Sequence, residues 1–436
     1  MAGAAFGQAG PPGQGGYTGP AVLSRAGSPL GQYTGKPIAF RFFAGATGDY
    51  FGDLSQPVTD AAGNLVTGDA YGVTGRLGVF GVRNGPNSTL GVDYLGNYRM
   101  YFGGDNQRYD GIDQNIGVNY ARQVSVRTAF ELSARASTYS YSGAGLSLAS
   151  AGDPGGEPAP DLAEGFDNRV SRVTGQAGFS RSLTQRWVLT LGGGGSVVER
   201  RSEALLDTRH GLGLASVRYR VSQFTAVGPS YEFSYLDYPD NFESARVHNF
   251  LLSFEKQFGP QWKLEAGAGV YRADIDRVQS VPLDPILAAV IGRSTTLQPF
   301  FDEQWGPAVR ATLSRALSSG SFSIFYWRGI RSGTAFLATS ESDSVGVRYS
   351  FNATSRLNIG LGANYYGVKA VSQGNARYDA YGGGAGLNYR LGKGFHITAS
   401  VSYSHQKLDD STFGRDRVLA SVGLMFSPGE LPLSLF

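Results

Sequence analysis

The stretch Thr89–Phe102, "TLGVDYLGNYRMYF", decides the fold. Leu90, Val92, Tyr94, Gly96, Tyr98, Met100 and Phe102 take every second position, with Gly91, Asp93, Leu95, Asn97, Arg99 and Tyr101 between them. Successive side chains of an extended chain point to opposite faces, so the first set makes an apolar face and the second a mostly polar one. A half-buried strand of a soluble sheet reads the same way but ordinarily runs only about 5–6 residues. So long a dyad calls for a longer crossing.

Outward from that stretch the alternation returns to the end of the chain. It begins with Ile38–Thr47, Tyr71–Val82, Asp113–Arg122 and Val126–Ser140, and ends with Tyr378–Leu391, Phe395–His405 and Arg417–Phe426. The pattern gives about eighteen segments, each near the ~9–11 residues that cross a bilayer when tilted. Connections alternate between tight ones, such as Arg83–Ser88, Leu183–Arg186, Gly259–Gln261 and Asn352–Ser355, and long polar ones, such as Tyr50–Gly68, Gly143–Asn168, Asp276–Gln298 and Gln373–Arg377. Short turns on one rim and long loops on the other are the arrangement of an up-and-down transmembrane barrel. An even strand count places both termini on the tight-turn side.

Composition agrees with this and excludes other classes. The chain has 436 residues, a net charge of +3, 63 glycines, 12% aromatics and no cysteine. Near-balanced charge gives no support to a nucleic-acid partner. The lack of cysteine excludes disulfides, thiolate metal sites and a cysteine nucleophile. No run approaches the ~20 apolar residues of a spanning helix; the nearest is Pro285–Gly292. In "MAGAAFGQAG", Gly7-Gln8-Ala9 has the small-x-small form of a signal cleavage site, although no basic or apolar region precedes it. Residues 1–36 therefore read as a Gly/Pro-rich segment, either the remnant of a signal peptide plus a tail or Gly/Ala filler, and 37–436 as the barrel.

Aromatic residues flank the short turns on the apolar parity: Trp187, Trp262, Phe322 and Phe395 after them, Tyr120, Phe179, Tyr219, Phe254, Tyr349 and Tyr389 before them. Such a ring suits the lipid–water interface, and ordinary core packing is the plainer alternative. The last segment, "RVLASVGLMFSPGELPLSLF", sets Val418, Ala420, Val422, Leu424 and Phe426 on one face, and the sequence ends at Phe436. An amphipathic final strand with an aromatic C-terminal residue resembles the assembly signal of bacterial outer-membrane β-barrel proteins. Which of the two phenylalanines serves is left open. The resemblance is to a large porin-like barrel of no particular named family. It implies a Gram-negative outer-membrane location, and as partners outer-membrane lipid and lipopolysaccharide, the barrel-assembly machinery and small solutes. Homo-oligomerisation stays open.

If the apolar parity faces lipid, the other parity lines a channel: Arg41, Arg76, Arg99, Arg135, Arg172, Arg218, Arg220, Arg310, Arg348 and Arg390, with the acids Asp93, Asp113, Glu131, Glu232, Glu255 and Glu265. Barrels of ~16–18 strands leave an aqueous lumen, and fixed charges along it set ion preference. Mutual pairing of these charges for stability is the competing reading. The expected function is passive diffusion of small hydrophilic solutes or ions with a mild anion preference. The alternatives are a barrel serving surface polysaccharide export or assembly and, with less support, a barrel enzyme. His396 shares the inward parity, and His405 lies near Asp409 and Asp410; neither makes a triad. No cofactor or metal site is expected. Two loops, Gly143–Asn168 and Asp276–Gln298, are expected to fold inward. In the second, Asp284 caps a short helix begun by Pro285, and Ile286, Leu287, Val290 and Ile291 call for burial.

Overall fold

A computed structural model describes residues 39–52, 58–59, 65–66, 69–103, 108–139, 169–201, 205–284, 286, 291–332, 338–371, 377–392, 394–408, 414–427 and 430–431. The N-terminal segment 1–36 lies outside the described residues.

The strands are β1 (Ala39–Gly52), β2 (Ala70–Asn84), β3 (Ser88–Gly103), β4 (Arg108–Ser125), β5 (Thr128–Tyr139) and β6 (Val170–Ser182). They continue as β7 (Trp187–Arg200), β8 (Thr208–Ser222), β9 (Thr225–Tyr238), β10 (Glu243–Phe258), β11 (Trp262–Pro282) and β12 (Thr295–Leu317). The last are β13 (Gly320–Ser332), β14 (Thr339–Asn352), β15 (Leu357–Ala370), β16 (Arg377–Gly392), β17 (Phe395–Leu408) and β18 (Gly414–Phe426). Each pairs antiparallel with its chain neighbours. β1 closes the ring on β18, with Ala44 opposite Phe426 and Gly52 opposite Val418. The result is a closed eighteen-stranded up-and-down barrel, as the dyad predicts. Closure leaves no sheet edge at the seam, which lipid could not hydrogen-bond. Beyond Phe426, whose ring packs on Phe395 at 4.9 Å, Glu430–Leu431 still pairs with Arg41 and Phe40; Phe436 lies outside the described residues.

Following the register around the ring, the two parities never mix. One face carries Leu77, Ile116, Leu132, Leu191, Leu252, Val270, Leu361, Leu387, Val401 and Val422, all more than a third exposed. This is the outer face, an apolar belt around the circumference. Its lower edge, beside the short turns, holds all ten aromatics named above. Trp187 packs on Tyr219 at 4.9 Å, and the Arg315 guanidinium lies 5.0 Å from the Trp262 ring. The upper edge is a second collar, missed in the sequence. Tyrosine hydroxyls there donate to carboxylates on the next strand: Tyr326 to Asp343 (3.0 Å), Tyr365 to Asp379 and Tyr403 to Asp416 (both 2.5 Å). Arg328, Arg377 and His405 stand beside those same acids.

The strands are 12–23 residues long, longer than bilayer crossing requires, because pairing continues above the belt. This corrects the expected loop at 276–298: most of it is ladder, with Asp276 opposite Phe301 and Pro282 opposite Thr295. Asp284 Oδ1 accepts the Ile286 N–H at 2.8 Å; the expected helix itself falls largely outside the described residues. Ile286 and Ile291 are 76% and 56% exposed, so these two side chains do not gain the expected burial; Leu287 and Val290 lie outside the described residues, as does the other expected loop, 143–168. β13 pairs with β12 only from Val309 downward, so residues 295–308 have no ladder partner on that side among the described residues. Pro299 and Pro307 sit opposite Val278 and Val270 in the ladder with β11. A proline in a ladder turns its missing donor away from its neighbour, so both blunt the free edge against strand addition.

Candidate functional site: the inner wall

The opposite parity is the inside of the barrel. The Glu243 side chain on β10 accepts the Thr339 N–H of β14 at 3.0 Å, although four inter-strand steps cover about 19 Å along a sheet. Only the concave side, drawn inward, lets them meet. The wall is creased here: β10 approaches β12, and β11 approaches β13, past their intervening strands. Glycines make the crease, since a Cβ on Gly269 would overlap the Phe250 carbonyl oxygen, and one on Gly267 would lie 3.0 Å from Arg310 Nε.

The register places every charged residue of the expected lining on this inner face. Arg99 pairs with Asp113, and Arg310 passes over Gly267 to pair with Glu232. Arg218 meets Glu255 at 2.9 Å, and Lys263 joins Glu255 and Glu265 at 3.3 and 2.5 Å. Arg135 stands 3.9 Å from Asp93. Five of the six expected inward acids are thus engaged by bases, which gives substance to the pairing alternative. Glu131 lies instead against Gly178. Arg220 and Arg390 have no carboxylate partner among the described residues and are exposed on the inner side, whereas Arg76 lies in the field of Asp49.

Sequence reasoning missed Asp49, Glu243, Lys263, Arg331 and Arg417 on the same face. Most of these lie where the strand outlasts the belt, so no apolar parity flags the polar one. Asp49 anchors a buried network: Thr47 donates to it at 3.0 Å, Thr74 donates to it as well, and the Thr74 and Tyr101 hydroxyls are 3.1 Å apart. Towards the long-link rim the inner wall is enclosed. Leu236, Tyr238, Ala245, Val247, Tyr271, Ala273 and Ile275 form one buried apolar cluster, with Leu206 and Val371 from two connections packed against it. Towards the short turns it opens, and Asn119, Ala121 and Gln123 are exposed on their inner side.

Small neutral residues occupy other stretches of the wall, and Phe43, Met425, Phe80 and Leu95 pack together on it. Gly192, Gly194 and Ser196 face inward, as do Gly382, Gly384 and Gly386 with Ser400, Ser402 and Ser404. Of the histidines, His396 is inward and 3.3 Å from Asn388 Oδ1. His405 is outward, 2.9 Å from Asp416 Oδ1, with the Tyr381 ring stacked on it at 4.8 Å; Asp409 and Asp410 lie outside the described residues. Among the described residues no three His, Asp or Glu converge as a metal site.

No protein-family model and no curated protein matches the chain. Among solved structures it is similar to Pseudomonas aeruginosa OpdK with vanillate, at 11% identity and a TM-score of 0.41, covering 89% of this chain and 98% of that one. It is similar also to OccK2 (OpdF) of the same organism in complex with glucuronate, at 13% identity and 0.41, over 89% and 98%. OccK7 (OpdD) gives 13% and 0.41, over 91% and 100%.

Proposed function

We propose that this chain is a porin-like channel of the bacterial outer membrane through which small hydrophilic solutes or ions diffuse passively. The observation that carries the reading is the sorting of side chains by register: an exposed apolar belt outside between two aromatic-bearing collars, and the expected arginines and acids inside. Lipid is the solvent that stabilises the first arrangement, and water the second. An amphipathic barrel of this kind reaches its membrane through the barrel-assembly machinery, and lipopolysaccharide would meet its upper collar. The residues proposed to line the channel are the inner arginines and acids named above, with Lys263, Asp49, Arg331 and Arg417 added. The aromatics beside the short turns are proposed to mark the lower interface.

Because most of the expected inner acids are already paired, Arg220 and Arg390 leave positive charge exposed on the inner wall. Planar-bilayer recordings in a salt gradient are expected to give reversal potentials of anion-selective sign. Arg220→Glu with Arg390→Glu is expected to shift them towards cation selectivity. Cation selectivity in the unaltered protein would reject the electrostatic reading, and no conductance at all would reject the channel.

A further inference from the structure

The outer surface is sorted by charge as well as by polarity. Five strands carry an outward cation beside their short turn: Arg83 on β2, Arg122 on β4, Arg181 on β6, Lys256 on β10 and Arg315 on β12. Arg122, Arg181 and Lys256 each follow a collar aromatic by two positions, namely Tyr120, Phe179 and Phe254. At a tilt of about 40° each residue adds about 2.5 Å of height, so these cations stand roughly 5 Å beyond the aromatic ring. Arg315 lies level with it, between Trp262 and Phe322 on the neighbouring strands. None of the five is paired with a carboxylate among the described residues. Outward acids stand at the opposite end of the strands, as Asp110, Glu199, Asp237, Asp276, Asp379 and Asp416 do. Among the described residues no outward acid reaches the lower collar. Glu255 and Glu265, near it, face inward and are held by Arg218 and Lys263.

We propose that this lower rim binds the phosphate groups of anionic phospholipids in the leaflet on the short-turn side. The inference rests on the membrane reading, which supplies the leaflet, and adds the sign of its headgroups. Cations without a counter-charge in the chain take one from their surroundings, and at the depth of an aromatic collar those surroundings are headgroups. A guanidinium offers a fork of donors to two phosphate oxygens, while its stem lies along the apolar belt. Lys256 and Arg315 are half-buried and lie 4.9 and 5.0 Å from the Phe258 and Trp262 rings, so their charge is held at this level. In a zwitterionic headgroup the amine cancels the phosphate charge, so such a lipid gains little from a nearby arginine. An anionic one gains about fivefold in association for each cation beside it.

The full chain, reconstituted in phosphatidylcholine vesicles, is tested with traces of spin-labelled phosphatidylglycerol or spin-labelled phosphatidylcholine. The motionally restricted fraction of each label reports its affinity for the barrel surface. Phosphatidylglycerol is expected to be preferred several-fold. Arg83→Gln, Arg122→Gln and Arg181→Gln together are expected to remove most of that preference, while the phosphatidylcholine signal stays unchanged and shows that the barrel is intact. Arg181→Gln alone is expected to give a partial loss, which decides the matter if the triple variant does not assemble. Lys369→Gln with Lys407→Gln is the control, because these outward lysines lie near the long links, each opposite a carboxylate in the ladder, Glu341 and Asp379. That pair is expected to keep the preference. Equal restriction of both labels by the unaltered barrel, an undiminished preference in the arginine variants, or an equal loss in the lysine control would each overturn the proposal. A protein that restricts neither label is not in the bilayer, which defeats the membrane reading itself; one that restricts both alike defeats only the headgroup site.

Discussion

Replacing Leu361, Leu191 or Val92 with arginine is expected to destabilise the barrel by about 2–4 kcal/mol, the cost of a lipid-facing cation near the bilayer midplane. All three lie on the outer parity four residues above a short turn, which is roughly 10 Å into a belt about 25 Å tall. The two leucines are 42% and 45% exposed, so the penalty comes from the solvent they meet rather than from displaced neighbours. On the inner parity the same chemistry is tolerated. Gly192→Ser would bring a Cβ no nearer than 3.6 Å to Leu214, and Asn97 and Asn364 already present side-chain amides to that side; polar replacement at these positions is expected to stay within about 1 kcal/mol. Urea titration of folding into vesicles measures both sets. Equal losses on the two parities would show that the face assignment is wrong.

Gly269→Val should be comparably severe for a different reason. The crease of the wall brings β10 against β11 so closely that a side chain at Gly269 would occupy the Phe250 carbonyl oxygen and sit 2.9 Å from the Leu251 Cα. Backbone cannot step aside as a flexible side chain can, so the cost should be at or above the upper end of the ~1–3 kcal/mol usual for overpacking. Gly360→Val is the matched control, inward as well but with nothing within 4 Å of its Cβ. The unfolding midpoint of the first is expected to fall well below that of the second. Indistinguishable midpoints would mean that the crease does not exist.

Much of this was legible in the sequence. Thr89–Phe102 pairs in register as its dyad requires, Asp93 and Arg99 turn inward, and strand number and closure follow the pattern. Strand length was not legible. Between Asp276 and Gln298 both faces lose their contrast, so period-two alternation disappears although the ladder with β12 continues. The upper collar was hidden because Tyr365–Asp379 and Tyr403–Asp416 become amphipathic only when two strands lie side by side.

The sequence by itself determined which parity of each strand turns outward and which inward, because alternation is a local property fixed by the geometry of one extended chain. Only the tertiary structure decided which charges neutralise one another. Arg310 and Glu232 are 78 residues apart and meet over Gly267 only because the sheet folds inward there. The same crease joins Glu243 to Thr339. Sheet curvature arises from the sum of contacts between strands, and no single strand's sequence carries it.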